Sequence, residues 1–111
     1  MLGLSRTESQ ISQNMITTGD TLVGFDITGM LGPVEGIVEK SFAAMSVGGM
    51  GVVQGGELGN MLFDAKQQLA QAASERGANA VVGFRCAILG RNLEKSVLVY
   101  GTAVKCQKRQ P

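Results

Sequence analysis

Whatever chemistry this chain performs, it performs without histidine. That removes the commonest general base and metal ligand, and with it every Ser–His or Cys–His arrangement. The strongest soft ligands that remain are two thiols, Cys86 and Cys106. As thiolates they would take a soft or heavy metal ion. They lack Cys-x-x-Cys spacing, so one chain brings no ligand cluster together; copies of Cys86 or Cys106 ringed about a symmetry axis would. The plainer account is one core thiol and one at a fraying strand end, since free cysteine is commonly buried and inert. Met45 and Met50 flank a glycine-rich stretch and carry thioethers suited to Cu(I), although methionine more often fills gaps. Asp26, Glu35 and Glu39 fall on or near strands. Acid–base catalysis needs two carboxylates at a set distance in opposed environments, and their spacing does not provide that. They read as solvated strand edges. Gly48-Gly49-Met50-Gly51 matches neither the dinucleotide fingerprint nor the P-loop, because no Gly-Lys-Ser/Thr follows.

The elements that would position these groups lie in the C-terminal half. Leu58, Met61, Leu62, Ala65, Leu69, Ala72 and Ala73 recur at helical spacing, and this predicts one amphipathic helix over residues 57–76. Gly77 can take the left-handed conformation that closes a helix. Residues 79–89 and 96–106 are rich in Val, Ile, Leu, Phe and Tyr and predict a hairpin turning at 90–95. A register pairing Phe84 with Gly101 lets the ring lie over the glycine and sets Arg85 opposite Tyr100, as a ligand clamp or, more plainly, a cation–π pair at an interface. It puts Ala80, Val82, Phe84, Cys86 and Ile88 on one face with Val97, Val99, Gly101 and Ala103, under the helix. Val81, Ala87, Leu89, Leu98 and Val104 then line the other face, and Cys86 does not face Cys106. A one-residue slip exchanges the faces. One helix covers only one side of a sheet, so the second apolar face must meet the N-terminal strands or another copy of the chain.

Upstream, residues 22–28 and 34–42 are strand-like, separated by 29–33, where Pro33 suggests a bend or an edge. Residues 1–15 read as a mobile arm, 43–56 as an irregular loop at an interface, 16–106 as a single domain and 107–111 as a solvated tail. The chain has 111 residues, of which 44% are hydrophobic, and a formal net charge of +1. A core is available, but a domain this small is marginal alone. No basic run is long enough for a nucleic-acid footprint, and no stretch is apolar enough to span a membrane as a helix. Two cysteines without the basic-then-apolar order of a signal peptide point to a reducing, cytoplasmic setting.

Ile16-Thr17-Thr18, Asp20-Thr21, Gly24-Phe25-Asp26-Ile27, Gly32 and Val34-x-Gly36 resemble the opening of the YbjQ-like family, whose label is heavy-metal binding. Gly55-Gly56-Glu57, Gly77-Ala78-Asn79-Ala80-Val81-Val82, Phe84-Arg85 and Tyr100-Gly101-Thr102-Ala103-Val104 are similar to its later motifs. The resemblance implies an α+β subunit, one helix packed on a small antiparallel sheet in the manner of a dodecin subunit. It also implies a ring-shaped homopentamer in which extra short strands join neighbours. Three features depart from the family's pattern: a helix about two turns shorter (at ~1.5 Å rise per residue), a glycine-rich 43–54, and Ala87 where relatives often carry an acid.

The expectation is a homo-oligomeric binding or structural protein, not an enzyme. The metal ligands would be Cys86 and Cys106, the interface Val81, Arg85, Leu98, Tyr100 and Val104, and the partner another copy rather than nucleic acid or membrane. The alternative is an enzyme or small-molecule carrier with sites at subunit interfaces.

Overall fold

The computed structural model describes residues 11–41, 55–91 and 94–110. After a 3-10 turn at Gln13–Met15 come β1 (Phe25–Ser41), α1 (Gly55–Glu75), β2 (Ala80–Arg91) and β3 (Glu94–Lys108). The three strands form one antiparallel sheet in the order β1-β3-β2. The class is α+β, with one helix packed on a small antiparallel sheet. Most of the expected 43–56 loop, with Met45 and Met50, lies outside the described residues.

The apolar stripe of α1 is the core. Met61, Ala65, Leu69 and Ala73 are buried, and Leu58, Leu62 and Ala72 pack at their margin. The stripe is narrow because alanines occupy much of it, and this brings the helix down onto the sheet. It lies over β1 and β3, and hardly over β2, where the sequence suggested the β2–β3 hairpin. Gly36 explains the offset. A Cβ there would collide with the Ala65 carbonyl oxygen and stand 3.0 Å from both Gln68 Cβ and the Leu69 nitrogen. Gln68 Oε1 accepts the Ile37 N–H at 3.0 Å and Arg76 Nη1 donates to the Leu31 carbonyl at 3.1 Å. The helix therefore caps the outer edge of β1 as well as covering its face.

The helix ends as its sequence suggests. Gly77 has φ 86, and Ala78 N–H reaches back to the Ala73 carbonyl. No atom lies within 4 Å of a Cβ at Gly77, so only backbone strain opposes a side chain there. Gly77→Val is expected to cost ~1 kcal/mol or more, read as a fall in the urea midpoint with unchanged slope.

β1 is one strand of 17 residues rather than two. The expected break at 29–33 is absorbed by two bulges, between Ile27 and Gly29 and between Met30 and Gly32. Each inverts the alternation, so the pair restores it. Pro33 lies opposite Thr102, which bonds to β2, so the missing proline N–H points off the edge strand and costs the ladder nothing.

β2 carries a single bulge, between Val82 and Arg85, and this corrects the expected faces. Gly83 enables it with φ 64. Beyond the bulge the register is as expected, with Arg85 opposite Tyr100. Before it the register slips by one: Val81 joins Ala103 on the helix side, while Ala80 and Val82 turn outward with Val104 and Thr102. The group over Gly101 is the Val81 side chain, not the Phe84 ring. That ring lies instead under Lys66, whose Nζ is 5.4 Å from its centroid.

The ends of the chain are tied down further than expected. Ile11 belongs to the helix-side core and Met15 packs against both clusters, so packing begins before Ile16. Residues 16–19 run along β2, with an isolated parallel bridge from Ile16 to Val81. Gln107 and Lys108 pair with Asp26 and Phe25, and Arg109 forms an exposed ion pair with Asp26 at 2.9 Å. An exposed pair of this kind contributes little on its own.

Candidate functional site

The two thiols lie on opposite faces of the sheet. Cys86 pairs with Val99, a helix-side residue, and is exposed near the edge of β2. Cys106 is buried on the other face among Leu22, Ala80, Val82 and Val104. Cys106 lies seven residue steps along β3 from Val99, which at ~3.3 Å per step is roughly 23 Å. One chain cannot place both on one ion, and among the described residues no three His, Cys, Asp or Glu side chains gather into a metal-sized group.

The thiols also differ chemically. Burial pushes the Cys106 thiol up from its ordinary range, because the apolar surroundings disfavour a thiolate. Its backbone is clamped too: Asn79 Nδ2 donates to the Cys106 carbonyl and Asn79 Oδ1 accepts the Cys106 N–H, both at 2.9 Å. The Asn79 amide thus acts as one more unit of the ladder. Iodoacetamide at neutral pH is expected to label one thiol per native chain, at Cys86, and two after denaturation. Rapid native labelling of both would remove the distinction.

The residues expected at an interface divide. Val81 and Val104 are wholly buried within the chain, Val81 in the helix-side cluster and Val104 in the outer-face cluster with Leu22, Ala80, Val82 and Cys106. They offer no contact surface; the bulge accounts for the first and the N-terminal segment for the second. Tyr100 is 46% exposed, Arg85 is exposed and Leu98 half-buried. Glu35, Tyr100 and Arg85 form one row across the outer face, and Ile37, Leu98 and Ala87 the next. Nη1 of Arg85 does not stack on Tyr100; it donates to the carbonyls of Thr18 and Phe84 at 2.8 Å. The outer face is therefore packed at one end with the chain's own Leu22 and Met15, from the segment before β1, and open at the other from Tyr100 to Leu89.

At the far end of β1 and β3, Glu39, Lys40, Glu94, Lys95 and Ser96 line an open cleft of about 300 Å³. Lys40 is paired with Glu57 at the start of the helix. This cleft was not evident in the sequence, because the residues meet only through the β1–β3 register.

A family model described as "Putative heavy-metal-binding", YbjQ, matches residues 14–107. The chain belongs to the YbjQ family. YbjQ relatives include a UPF0145 protein of Psychromonas ingrahamii, 36% identical over 104 residues that span 83% of this chain and 97% of the relative. A UPF0145 protein of Halalkalibacterium halodurans is 31% identical over 106 residues, 85% of this chain and 98% of the relative. The fold is also that of a crystal structure from Pediococcus pentosaceus, a protein with unknown function of the DUF74 family. The TM-score is 0.62 at 20% identity, over 83% of this chain and 96% of that one. Among the described residues no helix is long and apolar enough to cross a membrane.

Proposed function

We propose that this YbjQ chain is a subunit of a cytoplasmic homo-oligomeric ring, five copies as the resemblance implies, with a binding or structural role rather than an enzymatic one. The observation that carries this is the open half of the outer sheet face. Ile37, Leu89 and Tyr100 are 46%, 54% and 46% exposed there beside Leu98 and Ala87, a contiguous apolar surface of the kind that marks an interaction site. Glu35 and Arg85 at its two sides give a neighbouring copy complementary charges to meet. Its ligand class is a soft or heavy metal ion, with Cys86 as the donor from each copy, because Cys86 alone of the two thiols is accessible. Nucleic acid and membrane have no part in this reading.

Light scattering on the purified chain tests the assembly. The parent is expected to be oligomeric at micromolar concentration. Tyr100→Asp is expected to lower the mass or precipitate the protein, since it sets an unpaired charge against an apolar seam. A stable monodisperse monomer for the parent would overturn the reading. Elemental analysis after exposure to a soft-metal panel tests the ligand: uptake by the parent should be lost in Cys86→Ala and kept in Cys106→Ala. No uptake by the parent removes the metal from the proposal.

A further inference from the structure

A wholly buried side chain needs a cover, and on the outer face of this sheet no helix supplies one. Yet Ala80 and Val104 are wholly buried there, with Val82 and Cys106 buried beside them. Phe25 and Ile27 pack against this cluster from within the sheet, as part of β1. The cover comes from the segment before β1, through Leu22 and Met15. Without that segment, this end of the outer face would be continuous with the end already open from Tyr100 to Leu89.

The segment is lightly held. Residues 16–19 meet β2 through an isolated parallel bridge from Ile16 to Val81 rather than a ladder, and parallel pairing is the weaker kind. Thr17 N–H donates to the Val81 carbonyl, Gly83 N–H to Gly19 and Phe84 N–H to Thr17, each at 2.9 Å. Arg85 Nη1 adds a bond to the Thr18 carbonyl at 2.8 Å. These groups lie along the edge of the sheet, where water can replace a lost partner, so parting them strands no buried donor or acceptor. The apolar anchors are Ile11 on the helix side, Met15 against both clusters and Leu22 on the outer face. Residues 18–21 and Val23 are exposed. Few apolar anchors and hydrogen bonds at an exposed edge are the marks of a segment that opens before the rest of the fold.

A pivot stands at its end. Gly24 has φ 87, and no atom lies within 4 Å of where its Cβ would be. Its carbonyl accepts the Arg109 N–H at 2.7 Å. The chain from Gly24 onward is thus tied down just past the end of β3, while the chain before it is free to swing.

We propose that residues 11–23 form a releasable strap, which swings out about Gly24 while α1 and the three strands stay folded, and so sets how much of the outer face is open. Closed, the strap confines the apolar surface to the end bearing Tyr100, Leu98 and Leu89. Open, it adds Ala80, Val82, Val104 and Cys106 to the same face. This goes beyond the reading of the outer face above and does not depend on what occupies that face.

Cys106 packs in one cluster with Leu22, so its thiol reports the opening. Iodoacetamide labelling of the full chain in rising urea below the unfolding midpoint, read at Cys106 by peptide mass after digestion, tests the strap. Cys106 is expected to react at least about a hundredfold more slowly than Cys86, with a urea dependence much shallower than that of global unfolding, because a strap uncovers little surface. Leu22→Ala is expected to speed the reaction at least about tenfold, since it removes the buried anchor on the outer face. Gly36→Ala lowers overall stability at the contact between α1 and β1, away from the strap, and is expected to leave the Cys106 rate unchanged. A Cys106 rate that follows global unfolding in urea and rises in Gly36→Ala would mean that the segment leaves only with the whole fold, and overturns the proposal. Labelling as fast as at Cys86 would mean that the segment covers nothing, and overturns it as well. Should Gly36→Ala fail to fold, the urea slope of the unaltered chain still decides.

Discussion

Leu69→Asp is expected to leave almost no folded protein. Leu69 is fully buried in the layer between α1 and the sheet, with Met61, Ala65, Ala73, Val97 and Val99 in the same cluster. No polar or charged side chain among the described residues is buried, so a carboxylate there would find no partner and would lose its hydration. Removing the leucine and stranding the charge together cost upward of ~4 kcal/mol. Total stability for a domain of this size is only ~5–15 kcal/mol. Phe63→Asp on the exposed side of the same helix controls for helix propensity, since Phe63 is 55% exposed; it should stay within about 0.5 kcal/mol of the parent. Soluble yield and a circular-dichroism melt decide it. A parent-like melt for Leu69→Asp would show that the stripe is not the core.

Gly36→Ala and Gly59→Ala should move stability in opposite directions, although the chemical change is the same. At Gly36 the new methyl meets the Ala65 carbonyl oxygen and the Gln68 and Leu69 backbone region. A helix backbone cannot give way locally, so α1 must lift off β1, and the cost is ~1–3 kcal/mol or more. Lifting it also pulls Gln68 from the Ile37 N–H. At Gly59, in the second turn of α1, nothing lies within 4 Å of the added carbon. The gain there is the helix propensity of alanine over glycine, ~1 kcal/mol at most. Urea midpoints at constant slope measure both. A neutral Gly36→Ala would mean that the helix does not rest on β1 as described.

The helix was legible in full because its period, its small-residue stripe and its Gly77 stop all say the same thing. The strands were legible as strands, although β1 was read as two, and beyond the bulge the expected β2–β3 register holds with Arg85 opposite Tyr100, while the Phe84–Gly101 contact that suggested it does not. The faces were not legible, because one bulge at Gly83 inverts alternation for Ala80, Val81 and Val82. A glycine in a strand pattern is the signal that could have raised this, but Gly101 opposite it offers a competing reason for close packing. Pro33 was read as a bend or an edge between two strands; it lies in an edge strand that passes straight through it, since an outward ladder position asks nothing of a proline. Placement of the helix over β1 depended on Gly36, whose role is visible only once Ala65 is above it. Of the candidate site, that Cys86 does not face Cys106 could be read from the hairpin register. Their unequal burial could not.

All three bulges lie in the flanking strands, two in β1 and one in β2, and none in β3. The central strand is thus the ruler against which the others are measured. This sets where the chain can change length over evolutionary time. A residue gained in β1 or β2 swells into one more bulge on a strand with only one ladder to keep, and a second gain nearby can restore the pattern, as β1 already does. A residue gained in β3 displaces two ladders at once. An insertion after Val99 would turn Ala103 away from the helix and Val104 and Cys106 toward it, with no second strand able to absorb the error. Insertions and deletions among descendants of this chain should therefore collect in the outer strands and spare the run from Val97 to Cys106.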